Sequence, residues 1–281
     1  MEQTDKHHKL DKLKTILQEM KSVLIAYSGG VDSTFLMRVA KDVLGEKVLA
    51  VTAASETYPE KEVKNAAISA RKAGVKHLVI RTEELMDEKF SSNPPDRCYH
   101  CKRELFVKLS RISAERGIAN IITGTNLDDM SDYRPGTKAA EEAGIRSPLK
   151  EAGLSKAEIR SLSKEMGLDS WDKPAYPCLS TRFPYGAKIT GSELSKVARA
   201  EEFLTDMGLG EFRVRVHGDI ARIEVPPGDM AVFLDEDKAG KVVGEFKKIG
   251  YNYVTLDLEG YRTGSMNEVL PQHRIAALDP Q

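Results

Sequence analysis

The sequence predicts an α/β protein, with a doubly wound parallel sheet followed by a second, smaller α/β domain. The first observation is a set of four apolar runs that alternate with helical patterns, at residues 23–27, 48–53, 77–80 and 118–123. The second is a glycine-rich turn at 28–34 that joins the first run directly to a helical pattern. The third is a pair of strictly alternating runs, 212–217 and 220–225, separated by a Gly-Asp turn. Apolar strands alternating with helices are typical of parallel sheets covered on both faces, whereas the alternating pair indicates an antiparallel hairpin.

The helices of the first domain follow from apolar spacing and from glycines at their ends. Apolar residues recur at helical spacing over 9–21, just before the first strand. Gly45 is the C-cap candidate of the helix after the glycine-rich turn, and Gly74 closes a helix over 59–73. Another helix runs over 155–166. We therefore expect a helix in each connection that leads from one strand to the next.

A proline-rich segment at 173–186 divides the chain. It contains three prolines and a glycine, a composition typical of a loop or linker. We place the domain boundary at its end, which gives domains of residues 1–184 and 185–281. The second domain is expected to contain a helix, the hairpin, another helix and a last strand, at 191–207, 212–225, 238–249 and 253–258.

Composition narrows the class of protein. The 281 residues exceed the usual size of one domain, and 41% of them are hydrophobic, enough for two cores. The net charge of −1 gives no global basic field, so no nucleic-acid partner is expected. No apolar run approaches the ~20 residues that span a membrane, and the polar N-terminus lacks a signal-peptide core. We expect a cytoplasmic protein without a membrane partner, in which three cysteines form no disulfide framework.

The turn at 28–34, S-G-G-V-D-S-T, carries the chemistry of the first domain. A glycine-rich turn between a strand and a helix points backbone N–H groups and the positive end of the helix dipole at one spot, which suits phosphate. Gly29 and Gly30 allow close approach of the backbone and positive φ, and Asp32 is suited to hold magnesium beside the phosphates. No lysine follows the glycines, so the turn is not a G-x-x-x-x-G-K-[ST] loop. S-G-G-x-D-S instead resembles the PP-loop of ATP pyrophosphatases; the alternative is a turn that needs glycine only for its geometry.

The three cysteines form a candidate metal site. Cys98 and Cys101 form a C-x-x-C pair just after Asp96, a candidate helix N-cap, and Cys178 could add a third thiolate. Three thiolates suit zinc if His100 completes the set, or a cubane iron–sulfur cluster with one open iron. The alternative is three unrelated small core residues.

Arginines on the hairpin form a candidate anion site. Arg213, Arg215 and His217 share one face of a strand, and Arg222 lies on the partner strand. Guanidinium groups bind phosphate or carboxylate with two hydrogen bonds, so this face suits an anion. The alternative is a solvated sheet face whose charge is balanced by Glu211 and Glu224.

Arg182 lies close in sequence to a candidate thiolate. With Ser180 and Thr181 it forms a cluster of donors beside Cys178. A nearby cation lowers the pKa of a thiol, which favours a functional role over simple solvation of the loop.

Five motifs together give the chain a strong resemblance to one family. They are S-G-G-V-D-S at 28–33, G-T-N-L-D-D-M-S-D-Y-R-P-G at 124–136, C-L-S-T-R-F-P-Y-G at 178–186, R-V-R-V-H at 213–217 and Y-V-T-L-D-L-E-G-Y-R-T-G at 253–264. The chain resembles the LarE family, the ATP-dependent sulfur-transferring enzymes of nickel-pincer nucleotide biosynthesis. The resemblance implies that a carboxylate of a pyridinium biscarboxylate mononucleotide is adenylated by ATP, and that sulfur then displaces AMP.

The resemblance also assigns the nucleotide site. By matched position, ATP phosphates and Mg²⁺ would be held by Ser28, Gly29, Gly30, Asp32 and Ser33. Ser55 and Gly124 would lie near the adenosine, and Asn126 and Asp129 would line the same site.

The resemblance assigns the sulfur chemistry as well. The family has a type with one sacrificial cysteine and a type in which three cysteines hold a 4Fe-4S cluster whose open iron carries an extra sulfide. Cys98, Cys101 and Cys178 match the second type, which needs a sulfide source. Cys178 and Arg182, with Asp32, would act in the reaction, and the substrate phosphate would lie at Arg213 and Arg215. The family also implies a homo-oligomer.

Two other functions fit parts of the sequence. A PP-loop tRNA thiolase would also use three cysteines and a cluster, but the net charge and the lack of an obvious RNA-binding module stand against it. A zinc-stabilised, non-enzymatic nucleotide-binding protein would bind ATP without releasing AMP.

Overall fold

The computed structural model describes residues 2–131, 135–174, 176–262 and 264–270. The strands are β1 Val23–Ala26, β2 Val48–Ala54, β3 Lys76–Arg81, β4 Asn120–Thr123, β5 Arg213–His217, β6 Ile220–Glu224 and β7 Tyr253–Leu256. The α-helices are α1 Glu2–Met20, α2 Val31–Leu44, α3 Glu60–Lys72, α4 Glu88–Ser91, α5 Arg97–Glu115, α6 Pro135–Glu142, α7 Pro148–Ala152, α8 Lys156–Glu165, α9 Gly191–Asp206 and α10 Glu236–Ile249.

The described residues form two compact units. The N-terminal unit takes the chain up to Glu84 together with Asp96–Tyr176, and the C-terminal unit takes Leu85–Pro95 and the chain from Pro177 onward. This division differs from the predicted boundary at 184/185 in two ways. The second unit begins at Pro177 rather than at residue 185, and it also includes the separate segment Leu85–Pro95. The reason lies in backbone pairing inside the C-terminal unit, which ties the short Leu85–Pro95 segment to the chain after Pro177. Two such bonds run from Gly186 N to Asn93 O, at 2.9 Å, and from Ile189 N to Ser91 O, at 2.8 Å.

The N-terminal unit contains the predicted parallel sheet. Its strand order is β3-β2-β1-β4, and every neighbouring pair is parallel. β1 lies in the middle, with Leu24 paired to Leu49 on one side and to Ile121 on the other. The α/β prediction is confirmed, because each strand is connected to the next through helices, as parallel pairing requires.

Both faces of this sheet are covered, which makes it doubly wound. Val23 and Ile25 belong to a core with residues of α1, α2 and α8, whereas Leu24 belongs to a core with residues of α5. Successive side chains of a strand point to opposite faces, so a continuous apolar run is needed where both faces are buried.

The helix ends follow local chemistry in most cases. Gly45 caps α2 as predicted, with φ +61, and Gly250 caps α10 with φ +117. α8 begins with a capping box in which Ser155 and Glu158 bond to each other's backbone amides. α1 begins at Glu2, well before the predicted residue 9.

The C-terminal unit contains the predicted hairpin in a mixed three-stranded sheet. The order is β5-β6-β7; β5 and β6 are antiparallel, and β6 and β7 are parallel. Gly218 in the turn has φ +60, a conformation that glycine adopts without strain. Among the described residues of both units, no helix is long and apolar enough to cross a membrane.

Candidate active site

The glycine-rich turn of the N-terminal unit uses its two glycines differently. Gly29 has φ +72, and a Cβ there would lie 2.9 Å from the Cβ of Ala66 on α3. Gly30 has φ −79 and ψ 171, an extended conformation open to any residue. The expectation of positive φ therefore holds at Gly29 and is wrong at Gly30. The backbone is left-handed only at Gly29 and is already extended at Gly30, the N-cap residue of α2.

The start of α2 is shaped to receive an anion. Gly30 is its N-cap residue and has no side chain that could cap the first-turn amides. Ser28 and Ser33 lie beside this start, with their hydroxyl oxygens 3.1 Å apart. Uncapped amides at a helix N-terminus and two adjacent hydroxyls form a cradle of donors suited to phosphate oxygens.

Gly124 brings the turn after β4 against this cradle. A Cβ at Gly124 would lie 2.9 Å from the backbone N of Ser33, so only glycine permits the close approach. The turn places Asn126 next to the magnesium candidate: its side-chain amide donates to Asp32 Oδ1 at 3.3 Å. Asp129 accepts a hydrogen bond from the backbone N of Asn126 at 3.0 Å. The structure thus brings together five residues that the sequence predicted from two separate motifs.

Two lysines that the sequence analysis missed also lie at the turn. Lys156, the first residue of α8, donates to Asp32 Oδ2 at 2.5 Å. Lys173 donates to Glu62 Oε2 at 2.7 Å and to the carbonyl of Gly29 at 3.3 Å. Both lysines lie more than a hundred residues from the turn in sequence, and neither belongs to a motif that marks it.

A cavity opens beside the turn at the carboxyl ends of β1 and β2. Its lining includes Ser28, Thr52, Tyr58, Glu62, Glu84 and Cys101. Ligands of open α/β sheets bind at the carboxyl ends of the strands. The cavity joins the glycine-rich turn to the second cysteine of the C-x-x-C pair, a relation that sequence spacing does not show.

Ser55 belongs to a buried network at this edge. Its hydroxyl donates to Glu84 Oε1 at 2.6 Å, and Thr57 donates to the same oxygen at 2.7 Å. Glu84 is 2% exposed and was missed in the sequence, where it follows Glu83 in an ordinary polar stretch. Its carboxylate fixes the chain after β2 against the chain after β3.

The C-x-x-C pair lies in the first turns of α5, as predicted. Cys98 is exposed and Cys101 is half-buried. Asp96 precedes the helix, but its side chain makes no capping hydrogen bond and lies 3.6 Å from His100 Nε2 instead. Cys178 belongs to the C-terminal unit, where it is half-buried before a short 3-10 turn. Within the described ranges, no three His, Cys, Asp or Glu side chains are grouped to hold a metal ion.

Arg182 is buried rather than solvated. Its side chain is 0% exposed and forms a two-bond ion pair with Glu201 on α9, at 2.8 and 2.9 Å. A further guanidinium N–H donates to Thr181 Oγ1 at 2.7 Å. The alternative of loop solvation is therefore wrong. Arg182 holds the chain around Cys178 in the C-terminal unit.

The hairpin arginines are also largely buried. Arg215 donates to Glu224 at 3.0 Å and to the carbonyl of Thr181 at 2.6 Å, and Arg213 lies over the ring of Tyr261, 4.9 Å from its centroid. Burial, together with the charge of the nearby Arg182, lowers the pKa of Arg213 below its ordinary value. The alternative of a solvated face is wrong for both arginines, and their predicted contact with a substrate phosphate stays a prediction.

Of the acidic partners of the buried arginines, Glu224 was considered in the sequence only as a balancing charge on a solvated face, and Glu201 was missed. Glu201 and Glu224 are 1% and 0% exposed. One signal was available: Glu201 lies on the apolar face of α9, four residues after Val197 and three before Leu204, where a charge requires a partner. Residues 132–134 of the G-T-N motif and residue 263 of the last motif lie outside the described residues.

Comparison with known proteins adds independent evidence. The family described as "NAD synthase" matches residues 7–119. The chain is 45% identical to an uncharacterised protein of Synechocystis sp. over 93% of this chain and 98% of the relative. It is 40% identical to the pyridinium-3,5-bisthiocarboxylic acid mononucleotide synthase of Lactiplantibacillus plantarum, over 94% of this chain and 95% of that enzyme. It is also 32% identical to an uncharacterised protein of Methanocaldococcus jannaschii over 91% of this chain.

Proposed function

Because this chain belongs to the LarE family of enzymes, we propose that it is an ATP-dependent sulfurtransferase that converts carboxylates of a pyridinium biscarboxylate mononucleotide into thiocarboxylates. Identity over nearly the full length of both chains supports sulfur transfer in pyridinium mononucleotide synthesis. The proposed use of ATP rests on one observation, the uncapped start of α2. Asp32 lies in its first turn and accepts a hydrogen bond from Asn126 of the turn after β4. We expect the protein to be cytoplasmic and homo-oligomeric.

The first step proposed is adenylation. A substrate carboxylate oxygen attacks the α-phosphorus of ATP, the bond from that phosphorus to the bridging oxygen breaks, and pyrophosphate leaves. Amides at the start of α2, with Ser28 and Ser33, are placed to hold phosphate oxygens that carry the developing charge. Asp32 would hold Mg²⁺, for which a carboxylate oxygen is a suitable ligand; the ion would neutralise phosphate charge.

The second step proposed is sulfur transfer. A sulfide or thiolate sulfur attacks the acyl carbon, and AMP leaves with the electron pair of the acyl–phosphate bond. Binding of the substrate phosphate at Arg213 and Arg215 would orient the carboxylate. The burial of both guanidinium groups supports this role, because an anion beside a buried cation offsets part of the cost of its burial.

The sulfur is proposed to come from a 4Fe-4S cluster. Cys98, Cys101 and Cys178 would hold it, and the cluster would supply a bound sulfide for transfer. The proposal rests on the cysteine pattern and on the accessibility of the thiols, since Cys98 is exposed and the other two are only half-buried. Thiolates three residues apart in the first turns of a helix lie on one side of it and can share a ligand.

The test is anaerobic turnover with ATP, a sulfide source and one of two substrates, the pyridinium biscarboxylate mononucleotide or tRNA. We expect AMP and pyrophosphate release, and thiocarboxylate in the product, with the mononucleotide alone. ATP turnover stimulated by tRNA and not by the mononucleotide would refute the proposal in favour of a tRNA thiolase. Tight ATP binding without AMP release would indicate the non-enzymatic alternative.

A further inference from the structure

The glycine-rich turn lacks the cation that its proposed ligand requires. ATP carries several negative charges, and the leaving pyrophosphate gains more as the α–β bond breaks. A G-x-x-x-x-G-K-[ST] loop meets this charge with its own lysine, whereas residues 28–34 contain none. Backbone amides and hydroxyls supply partial charges only, and the Mg²⁺ proposed at Asp32 would offset only part of the charge of ATP, so further positive charge from elsewhere in the chain would stabilise the phosphates.

Lys156 is held beside the turn by its own backbone. The capping box of Ser155 and Glu158 fixes where α8 begins, and the backbone N of Lys156 donates to Asp128 Oδ2 at 2.8 Å. The ammonium group of Lys156 therefore extends from a fixed point to Asp32. Its side chain is 33% exposed, so the ammonium group is open to solvent and to a ligand.

Lys173 lies after α8 and is held near it by hydrogen bonds from Arg160. Arg160 of α8 donates to the carbonyls of Trp171 and Lys173, at 2.7 and 2.9 Å, and so fixes the chain on either side of Asp172. The ammonium group of Lys173 reaches the carbonyl of Gly29 in the turn. Its carboxylate partner, Glu62, lines the cavity beside Ser28.

We propose that Lys156 and Lys173 bind the phosphates of ATP and supply the positive charge that the glycine-rich turn lacks. Lys156 donates to Oδ2 of Asp32, the residue that would hold Mg²⁺. If the carboxylate were occupied by the metal, the ammonium group of Lys156 would be free to bind a phosphate oxygen. Partly exposed ion pairs contribute little stability, so exchanging a carboxylate for a more highly charged phosphate is favourable. The inference rests on the proposed use of ATP.

The experiment measures binding rather than turnover. Isothermal titration with Mg²⁺ and α,β-methylene-ATP, which cannot be cleaved at the reacting bond, is compared with adenosine, which has no phosphates. Lys156→Met and Lys173→Met are each expected to weaken binding of the analogue about ten- to hundredfold, the contribution of one charged hydrogen bond. Binding of adenosine should change by less than about twofold, because adenosine has no phosphate for either lysine to contact.

Lys72→Met is the matched control. Lys72 lies in the same unit and pairs with Asp169 at 2.9 Å, but both side chains are exposed. It should leave both affinities unchanged. Unchanged analogue affinity in the Lys156 and Lys173 variants would overturn the inference and leave ATP use intact. Failure of the unmodified protein to bind the analogue would overturn the proposed function itself.

A second pair of variants keeps the test valid if a methionine variant does not fold, which loss of adenosine binding would reveal. In that case Lys156→Arg and Lys173→Arg are measured, because arginine keeps a positive charge at the same position. We expect these variants to bind the analogue far more tightly than the methionine variants. An equal loss with arginine would contradict a role for the positive charge.

Discussion

At the scale of single residues, the site depends on a few positions whose neighbours leave no alternative. Gly29 must be glycine because its φ is +72 and because a Cβ there would clash with Ala66. Gly124 must be glycine because a Cβ there would clash with the backbone of Ser33. Asp32 is contacted from two sides, by Asn126 and by Lys156. These contacts make precise predictions possible, because adjacent residues with different surroundings serve as controls.

Gly29→Ala should destabilise the N-terminal unit. The substitution adds a Cβ 2.9 Å from the Ala66 Cβ and forces a left-handed conformation on a residue with a side chain. We expect a loss of about 1–3 kcal/mol in the free energy of unfolding, measured by urea denaturation. Gly30→Ala is the control, since its φ is ordinary and the nearest atom to the new Cβ is 3.4 Å away. Equal losses for the two variants would contradict this account.

Asp32→Ala should abolish release of AMP and pyrophosphate while the protein stays folded. Its carboxylate is the candidate ligand for Mg²⁺, and its ion pair with Lys156 is partly exposed, with side-chain exposures of 22% and 33%. Such pairs contribute about 0–1 kcal/mol, so the melting temperature should hardly change. AMP formation measured by chromatography, beside a thermal melt, tests both parts. Retained AMP formation would remove Asp32 from the proposed mechanism.

Glu201→Ala should destabilise the C-terminal unit strongly. It would leave Arg182, which is 0% exposed, without the carboxylate that now receives two of its hydrogen bonds. Breaking a buried pair on one side costs about 3–5 kcal/mol. The neighbouring Glu202 is exposed, so Glu202→Ala should change the free energy of unfolding by less than about 0.5 kcal/mol. A chemical denaturation series compares the two variants, and similar values would show that the Arg182–Glu201 pair contributes little.

At the scale of elements, α8 connects the fold to the nucleotide site. Its first residue reaches Asp32, and Arg160 within it holds the segment that carries Lys173. Its partners are distributed along the chain, from α1 to the loop after β4. The helix predicted over 155–166 therefore also positions two charges at the site, through its N-terminus and through Arg160.

Ser155→Ala should therefore weaken both stability and nucleotide binding. Loss of the N-cap hydroxyl typically costs about 1 kcal/mol, and fraying of the first turn of α8 would release Lys156. Thr190 caps α9 in the C-terminal unit in the same way, so Thr190→Ala should lower stability and leave binding of α,β-methylene-ATP unchanged. Calorimetric titration of both variants distinguishes the two effects. Equal binding would mean that the start of α8 does not hold Lys156 in place.

At the scale of the whole molecule, the proposed chemistry uses both units. The glycine-rich turn and the C-x-x-C pair belong to the N-terminal unit, whereas Cys178 and the hairpin arginines belong to the C-terminal unit. Activation of the carboxylate and supply of sulfur are thus assigned to residues far apart in the chain. The protein mass after turnover reports on the sulfur source.

Mass spectrometry of the protein after anaerobic turnover should show all three cysteines intact. A cluster that accepts sulfide from solution returns the chain unchanged, whereas a sacrificial cysteine gives up its only sulfur in a single transfer and leaves a lighter chain. The purified protein should absorb in the visible range of iron–sulfur clusters, and Cys98→Ala should remove that absorption. Loss of one sulfur from Cys178, or a colourless protein containing zinc, would refute the proposed source of sulfur.

The α/β class, the parallel sheet, the hairpin and the glycine-rich turn could all be predicted from the amino-acid sequence alone. These features are local: apolar runs, strict alternation and glycines act on neighbours within a few residues, so their pattern is legible without the fold. The same holds for the start of α8, which its capping box fixes.

Contacts between distant side chains, and the burial of particular charges, became visible only in the folded protein. Lys156 and Asp32 lie on different helices, Cys101 and Ser28 share a cavity, and Arg182 proved to be buried on Glu201. A lysine or glutamate has the same letter whether it is solvated or paired, because the energy of a charge depends on burial and on its partner. For that reason the glycine-rich turn could be recognised from its motif, whereas the cations beside it could not.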